Sequence, residues 1–147
     1  MRTYRDILTE AGYPTSVICL DFESFFTTEY CLKKKQTIEF IRDPLFHLTG
    51  LGAGVPGVPP WFIEPDFIPG FLDHLRTMQS KYTFIIHNAR FDITIFQEKF
   101  GWVPDYIIDT KDLACHYDSR MSHAVKDLAK HFGLTLEREN CFPYHRR

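Results

Sequence analysis

Residues 82–101, YTFIIHNARFDITIFQEKFG, pass from an apolar run straight into a helical pattern. The run shows no polar alternation, as expected of a strand covered on both faces. Ile93, Phe96 and Phe100 then recur at helical spacing, and Gly101 suits the C-cap. A further strand, DYIID at 105–109, follows. Strand, helix and strand in this order call for a sheet with helices packed against it, and for parallel pairing between the later strands.

Earlier strand signals are SVICLDFE (16–23), FHLTGLGAGV (46–55) and PWFIE (60–64), with GAGVPGVPP as a hairpin connection between the last two. Helix signals are DFIPGFLDHLRTMQSK, with Phe67, Phe71, Leu72 and Leu75 on one face, then TKDLACHYD and SHAVKDLAKHFG. For the last of these, Ser122 is the expected N-cap and Gly133 the stop. The order predicts an α/β domain: a mixed sheet, antiparallel in its first three strands and parallel in the last two, with the first strand near the centre.

A chain of 147 residues suits one domain, 1–147, with a sizeable core. With 44% hydrophobic and 24% charged residues it is neither disordered nor fibrous. The start lacks an apolar signal core and no apolar run is long enough for a span, so a soluble cytoplasmic protein with no membrane partner is expected. Cys19, Cys31, Cys115 and Cys141 show no regular spacing and read as reduced thiols. The net charge of −2 favours a small, local contact with any nucleic acid over a coat on a duplex.

Chemistry concentrates where strands end. In VICLDFESFF, Asp21 and Glu23 are two apart and share a strand face, while Phe22 points opposite. Two such acids repel unless a cation lies between them. A solvated strand end explains the pair equally well taken alone. FIIHNARFD, however, places Asp92 in a first helical turn at the end of a second strand. Open α/β sheets assemble sites at such ends. Three carboxylates there make a hard-oxygen site suited to Mg²⁺ or Mn²⁺.

The ordered set D-F-E at 21–23, H-N-A-R-F-D at 87–92 and IIDT at 107–110 resembles the DEDD (DnaQ-like) 3′–5′ exonuclease superfamily, which has a ribonuclease H-like fold. It is similar above all to the exonuclease domain of bacteriophage family A DNA polymerases. The resemblance covers residues 17–134. It implies two metal ions, held by Asp21, Glu23 and Asp92, acting on the 3′-terminal phosphodiester of single-stranded DNA and releasing nucleoside monophosphates. It also implies substrate contacts from Asn88, Phe22 and Phe25, and a polymerase domain or downstream polypeptide as partner. The family pattern continues with a fourth Asp, in Y-x-x-x-D or H-x-x-x-x-D, after text like LAKHFGL. Here that text is followed by TLERENCFPYHRR, which contains no Asp. The expectation is therefore an incomplete domain with weak catalysis on its own, and an exposed apolar face beside the site. The alternative is a catalytically impaired module that binds single-stranded nucleic acid or a polymerase.

Lesser candidates have plainer readings. His123 and Asp127 lie opposite the apolar face formed by Val125, Leu128, Ala129 and Phe132, and do not replace the missing motif. Asp109 in DTKD reads as an N-cap. Phe25 and Phe26 suit core packing better than base stacking, and Lys33–Lys35 suit a solvated face. Cys115, His116, Cys141 and His145 match no zinc spacing. GLGAGVPG is a hairpin and not a phosphate loop.

Overall fold

A computed structural model describes residues 1–135. Five strands form one sheet in the order β3-β2-β1-β4-β5. They are β1 (Ser16–Ser24), β2 (Leu48–Gly54), β3 (Trp61–Ile63), β4 (Tyr82–Ile86) and β5 (Ile107–Asp109). β1 pairs antiparallel with β2 and parallel with β4; β2–β3 is antiparallel and β4–β5 parallel. This is the mixed sheet with a central first strand that the apolar runs predict, and it is an α/β fold of ribonuclease H-like outline.

Among the described residues six α-helices accompany it: α1 (Tyr4–Glu10), α2 (Thr37–Arg42), α3 (Ile68–Met78), α4 (Ala89–Ile95), α5 (Thr110–Tyr117) and α6 (Val125–His131). Two of them, α1 and α2, escape the periodicity reading because each spans less than two turns. Both are fixed by capping boxes, Thr3 with Asp6 and Gln36 with Glu39, which join two backbone donors of the first turn to side chains. At the end of α4 the chain widens into a π-helical turn, Phe96–Phe100, and Gly101 at φ 70° stops it.

One face of the sheet carries the core. Ile18, Leu20 and Phe22 of β1, Leu51 and Ala53 of β2, and Phe84 and Ile86 of β4 pack with α3 and α4 through Ile68, Leu72, Leu75, Ile95 and Phe96. In α3 the buried stripe is Ile68, Leu72 and Leu75. Phe67, expected on that face, precedes the helix in a 3-10 turn and lies 69% exposed. Within the described residues no helix is long and apolar enough to cross a membrane.

The opposite face of the sheet positions the site. On β1 it presents Cys19, Asp21 and Glu23, whose register partners on β2 are Gly54, Gly52 and Gly50. Directly opposed residues in an antiparallel pair share a face, so beside the acids β2 contributes backbone and no side chain. The ring of Phe62, on β3, uses that space: a Cβ on Gly50 would lie 1.8 Å from its Cζ. A groove of about 1060 Å³ runs over this face, between the strands and α5 and α6.

Candidate active site

Asp21 sits near the carboxyl end of β1 and lines the groove together with Cys19 and with His87, which follows β4. Its edge is open to solvent, yet burial of its surroundings pushes the carboxyl pKa up, opposed by the nearby His87. Asp92 comes from the first turn of α4 and is only 3% exposed. Its Oδ1 accepts the backbone N–H of Phe22 at 3.0 Å. Burial pushes the Asp92 carboxyl up to about 7, and the negative charges of Asp21 and Asp109 add to the rise; the Phe22 N–H opposes it. The Asp21 charge therefore disfavours the ionised form of Asp92, a state that a cation would relieve.

Glu23 lies one pleat beyond Asp21, just before an irregularity in the β1–β2 register at Glu23/Ser24. Among the described residues, no three His, Cys, Asp or Glu side chains come close enough together to hold one ion. The expected three-carboxylate cluster is thus assembled only as far as Asp21 and Asp92. These two fit a hard divalent cation by their oxygen chemistry and by their mutual repulsion.

Asp109 organises the neighbouring strand ends. As N-cap of α5 its carboxylate accepts the N–H of Lys111 at 2.8 Å, the capping role legible in DTKD. It also accepts the N–H of Asn88 at 2.9 Å and of Ala89 at 2.7 Å, at the start of α4. One carboxylate thereby caps two helices. Asn88 is held at φ 60°, ψ 50°, the left-handed region that Asn tolerates better than most residues. The strand accordingly ends at Ile86, two residues before Asn88. The Asn88 Oδ1 accepts from the Lys111 Nζ at 3.0 Å, a contact the sequence reading did not foresee. His87 is steadied in turn, its Nδ1 2.9 Å from the Thr110 Oγ1.

The aromatic candidates divide. The ring of Phe22 is buried at 4% exposure, edge-on to Phe96 and stacked on Phe100. Its side chain is withdrawn from substrate, and its contribution to the site is the backbone N–H given to Asp92. Phe25 is half-buried, stacked on His47 with centroids 4.8 Å apart and on Tyr30 at 6.2 Å. Phe26 is exposed.

The plainer readings mostly stand. Lys34 pairs with Glu29 at 2.6 Å and Lys35 with Asp43 at 2.7 Å, so these cations are spent within the protein surface. His123 is 3.3 Å from the Cys115 Sγ through Nδ1 and 3.1 Å from the Asp118 carbonyl through Nε2, and Asp127 accepts from the Ser122 hydroxyl at 2.6 Å. His116 turns its Nδ1 to the Asp112 carbonyl within its own helix. The N-cap of α6 is Ala124 and not Ser122. Of that helix's apolar residues only Ala129 is buried; Val125 and Phe132 are exposed on the groove with Leu113 and Tyr117. Cys141 and His145 lie outside the described residues.

A strand order of 3-2-1-4-5, with Asp21 near the end of β1 and Asp92 in the helix that follows β4, is an α/β arrangement of ribonuclease H-like outline. Residues 71–139, just under half of the chain, match a family model described as 3′–5′ exonuclease. No curated protein matches the sequence. Among solved structures the chain is similar to Escherichia coli RNase D, an exoribonuclease involved in structured RNA processing (24% identity, TM-score 0.57, 90% of this chain and 32% of that one). It is similar also to the Trypanosoma brucei RNase D in its GMP complex (18%, TM-score 0.59, 81% and 36%). A third likeness is to a chain in the structure of the yeast NOT1 MIF4G domain co-crystallized with CAF1 (12%, TM-score 0.55, 95% and 75%). The chain spans about a third of the length of the RNase D chains. Residues 71–139 thus resemble a 3′–5′ exonuclease, and the RNase D chains share the fold of this one.

Proposed function

We propose that the chain is a metal-dependent exonuclease domain that removes nucleotides from the 3′ ends of single-stranded DNA, releasing nucleoside monophosphates, as the proofreading part of a phage-type DNA polymerase. The observation that carries this reading is the nearness of Asp21 to the buried Asp92, each with its carboxyl pKa raised, in a chain of which residues 71–139 match a 3′–5′ exonuclease model.

Asp21 and Asp92 would hold a divalent ion, Mg²⁺ or Mn²⁺, with Glu23 as the further carboxylate on the same strand face. Bound there, such an ion supplies an activated water and positive charge opposite the reacting phosphate. The protein's own part is placement. Phe22 fixes the Asp92 carboxylate through its N–H, and Asp109 fixes the turn that carries Asn88, whose amide would meet the terminal nucleotide. The sheet holds these groups on rigid elements, which in-line attack requires.

The test is digestion of 5′-labelled single-stranded DNA and RNA oligomers with Mg²⁺ or Mn²⁺, beside Asp21→Ala. A ladder shortening from the 3′ end of DNA, absent in the variant, is expected. Metal-dependent binding of the oligomer without a ladder would instead indicate a binding module. A ladder on RNA alone would reassign the substrate.

A further inference from the structure

The candidate metal-binding groups, Asp21 and Asp92, are acids, and a nucleic-acid strand is anionic. A metal ion held by Asp21 and Asp92 would supply positive charge at the scissile phosphate, and a separate cation would serve the strand behind it. Lys111 is a cation beside Asn88. Lys111, in the first turn of α5, is half-buried, and its Nζ stands 3.0 Å from the Asn88 Oδ1.

Among the described residues it forms no ion pair with a carboxylate. Asp109 directs both oxygens to backbone donors: Oδ1 takes the N–H of Asn88 and of Lys111 itself, and Oδ2 takes that of Ala89. The ion pairs found among the described residues use Arg2, Lys34, Lys35, Arg42 and Arg120.

The contact has a second consequence. An ammonium is donor only, so it fixes the Asn88 amide with its oxygen toward Lys111 and its NH₂ turned away. Two donor groups, the remaining ammonium protons and the Asn88 NH₂, then stand side by side at the end of β4. That pair suits a phosphate oxygen, for which an ammonium is a point-charge anchor and a neutral amide a directional donor.

The geometry points to Lys111 as the residue that anchors a backbone phosphate of the single strand and sets the Asn88 amide for the 3′-terminal nucleotide. This rests on the exonuclease reading of the same site, and gives Lys111 a positioning role in it. Lys33–Lys35 are not needed for it, since two of those three are already paired.

The test compares the full chain, Lys111→Gln and Lys111→Arg in binding a fluorescent single-stranded DNA octamer with Ca²⁺, across a series of salt concentrations. Lys111→Gln is expected to weaken binding several-fold at low salt and to reduce the slope of log K against log salt by roughly 0.7, the single-strand value for one phosphate contact. Lys111→Arg should retain the slope, since it keeps the charge. Thermal midpoints should match throughout, because the Lys111 N–H that Asp109 caps belongs to the backbone. Unchanged affinity and slope in Lys111→Gln would overturn the assignment while leaving the exonuclease reading intact. Failure of the unsubstituted chain to bind any single strand would remove both.

Discussion

Asp92 accepts the backbone N–H of Phe22 at 3.0 Å, so α4 and β1 are tied together at the point where their acids meet. Side chain and main chain divide the work at Phe22: the ring enters the core against Phe96 and Phe100, while the N–H orients the buried carboxylate. Burial beside Asp21 makes the Asp92 carboxyl costly to ionise, and the single N–H of Phe22 does not offset it.

This cost has a sign. The Asp92 pKa is raised in the folded state to about 7, from an ordinary value of 3.8. The folded protein then binds the proton more tightly than the unfolded chain, so stability falls as pH rises from about 4 to about 7. Asp92→Asn keeps the acceptor for Phe22 and removes the charge. It should raise the thermal midpoint at pH 8 without metal, by the equivalent of about 1–3 kcal/mol, with the difference fading near pH 4. Calorimetry at the two pH values in EDTA checks this, and equal midpoints at pH 8 would contradict it.

The double cap at Asp109 is the next consequence. Asp109→Ala leaves three N–H groups without their carboxylate, those of Asn88, Ala89 and Lys111. A loss of about 2–3 kcal/mol is expected in urea unfolding, more than the ~1 kcal/mol of an ordinary cap. Asp109→Asn, which keeps an acceptor, should recover part of it. Nuclease activity should fall with Asp109→Ala although the residue holds no metal, because Asn88 loses the contact that keeps its left-handed backbone.

How much of this could be read from the sequence depends on the range of each interaction. Period-two and period-3.6 patterns are local, and they place Asp21, Glu23 and Asp92 at strand ends. Asp109 as a cap of its own helix is local too. Its bonds to Asn88 and Ala89, and the reach of Lys111 to Asn88, join residues 20 to 23 apart across neighbouring parallel strands, and no spacing rule reports them. GLGAGVPG is a hairpin, as read, but the reason for its alternate glycines appears only with the register that sets Gly50 and Gly52 against Glu23 and Asp21. Helix α6 shows the opposite failure. Its apolar stripe is real, yet Val125 and Phe132 face the groove and stay exposed, because amphipathic spacing says which residues share a side and not what covers it.

Those glycines give a test of their own. Gly50→Ala places a methyl group where the Phe62 ring lies, 1.8 Å from its Cζ. The ring must swing away, at a cost of about 1–3 kcal/mol. Phe62→Ala removes the obstacle, so in that background Gly50→Ala should cost less than half as much. A double-mutant cycle by chemical unfolding measures the coupling. Additive effects would mean that Gly50 is required for some other reason.

The central claim is that Asp21 and Asp92 share a divalent cation. Isothermal titration of Mn²⁺ at pH 7, in two buffers of different ionisation enthalpy, tests it most directly. Binding should displace the proton held by Asp92, so the apparent enthalpy should differ between buffers, and Asp21→Asn should weaken affinity at least tenfold. Equal affinity in Asp21→Asn, or binding with no proton released, would show that the ion sits elsewhere or that the two acids do not form its site.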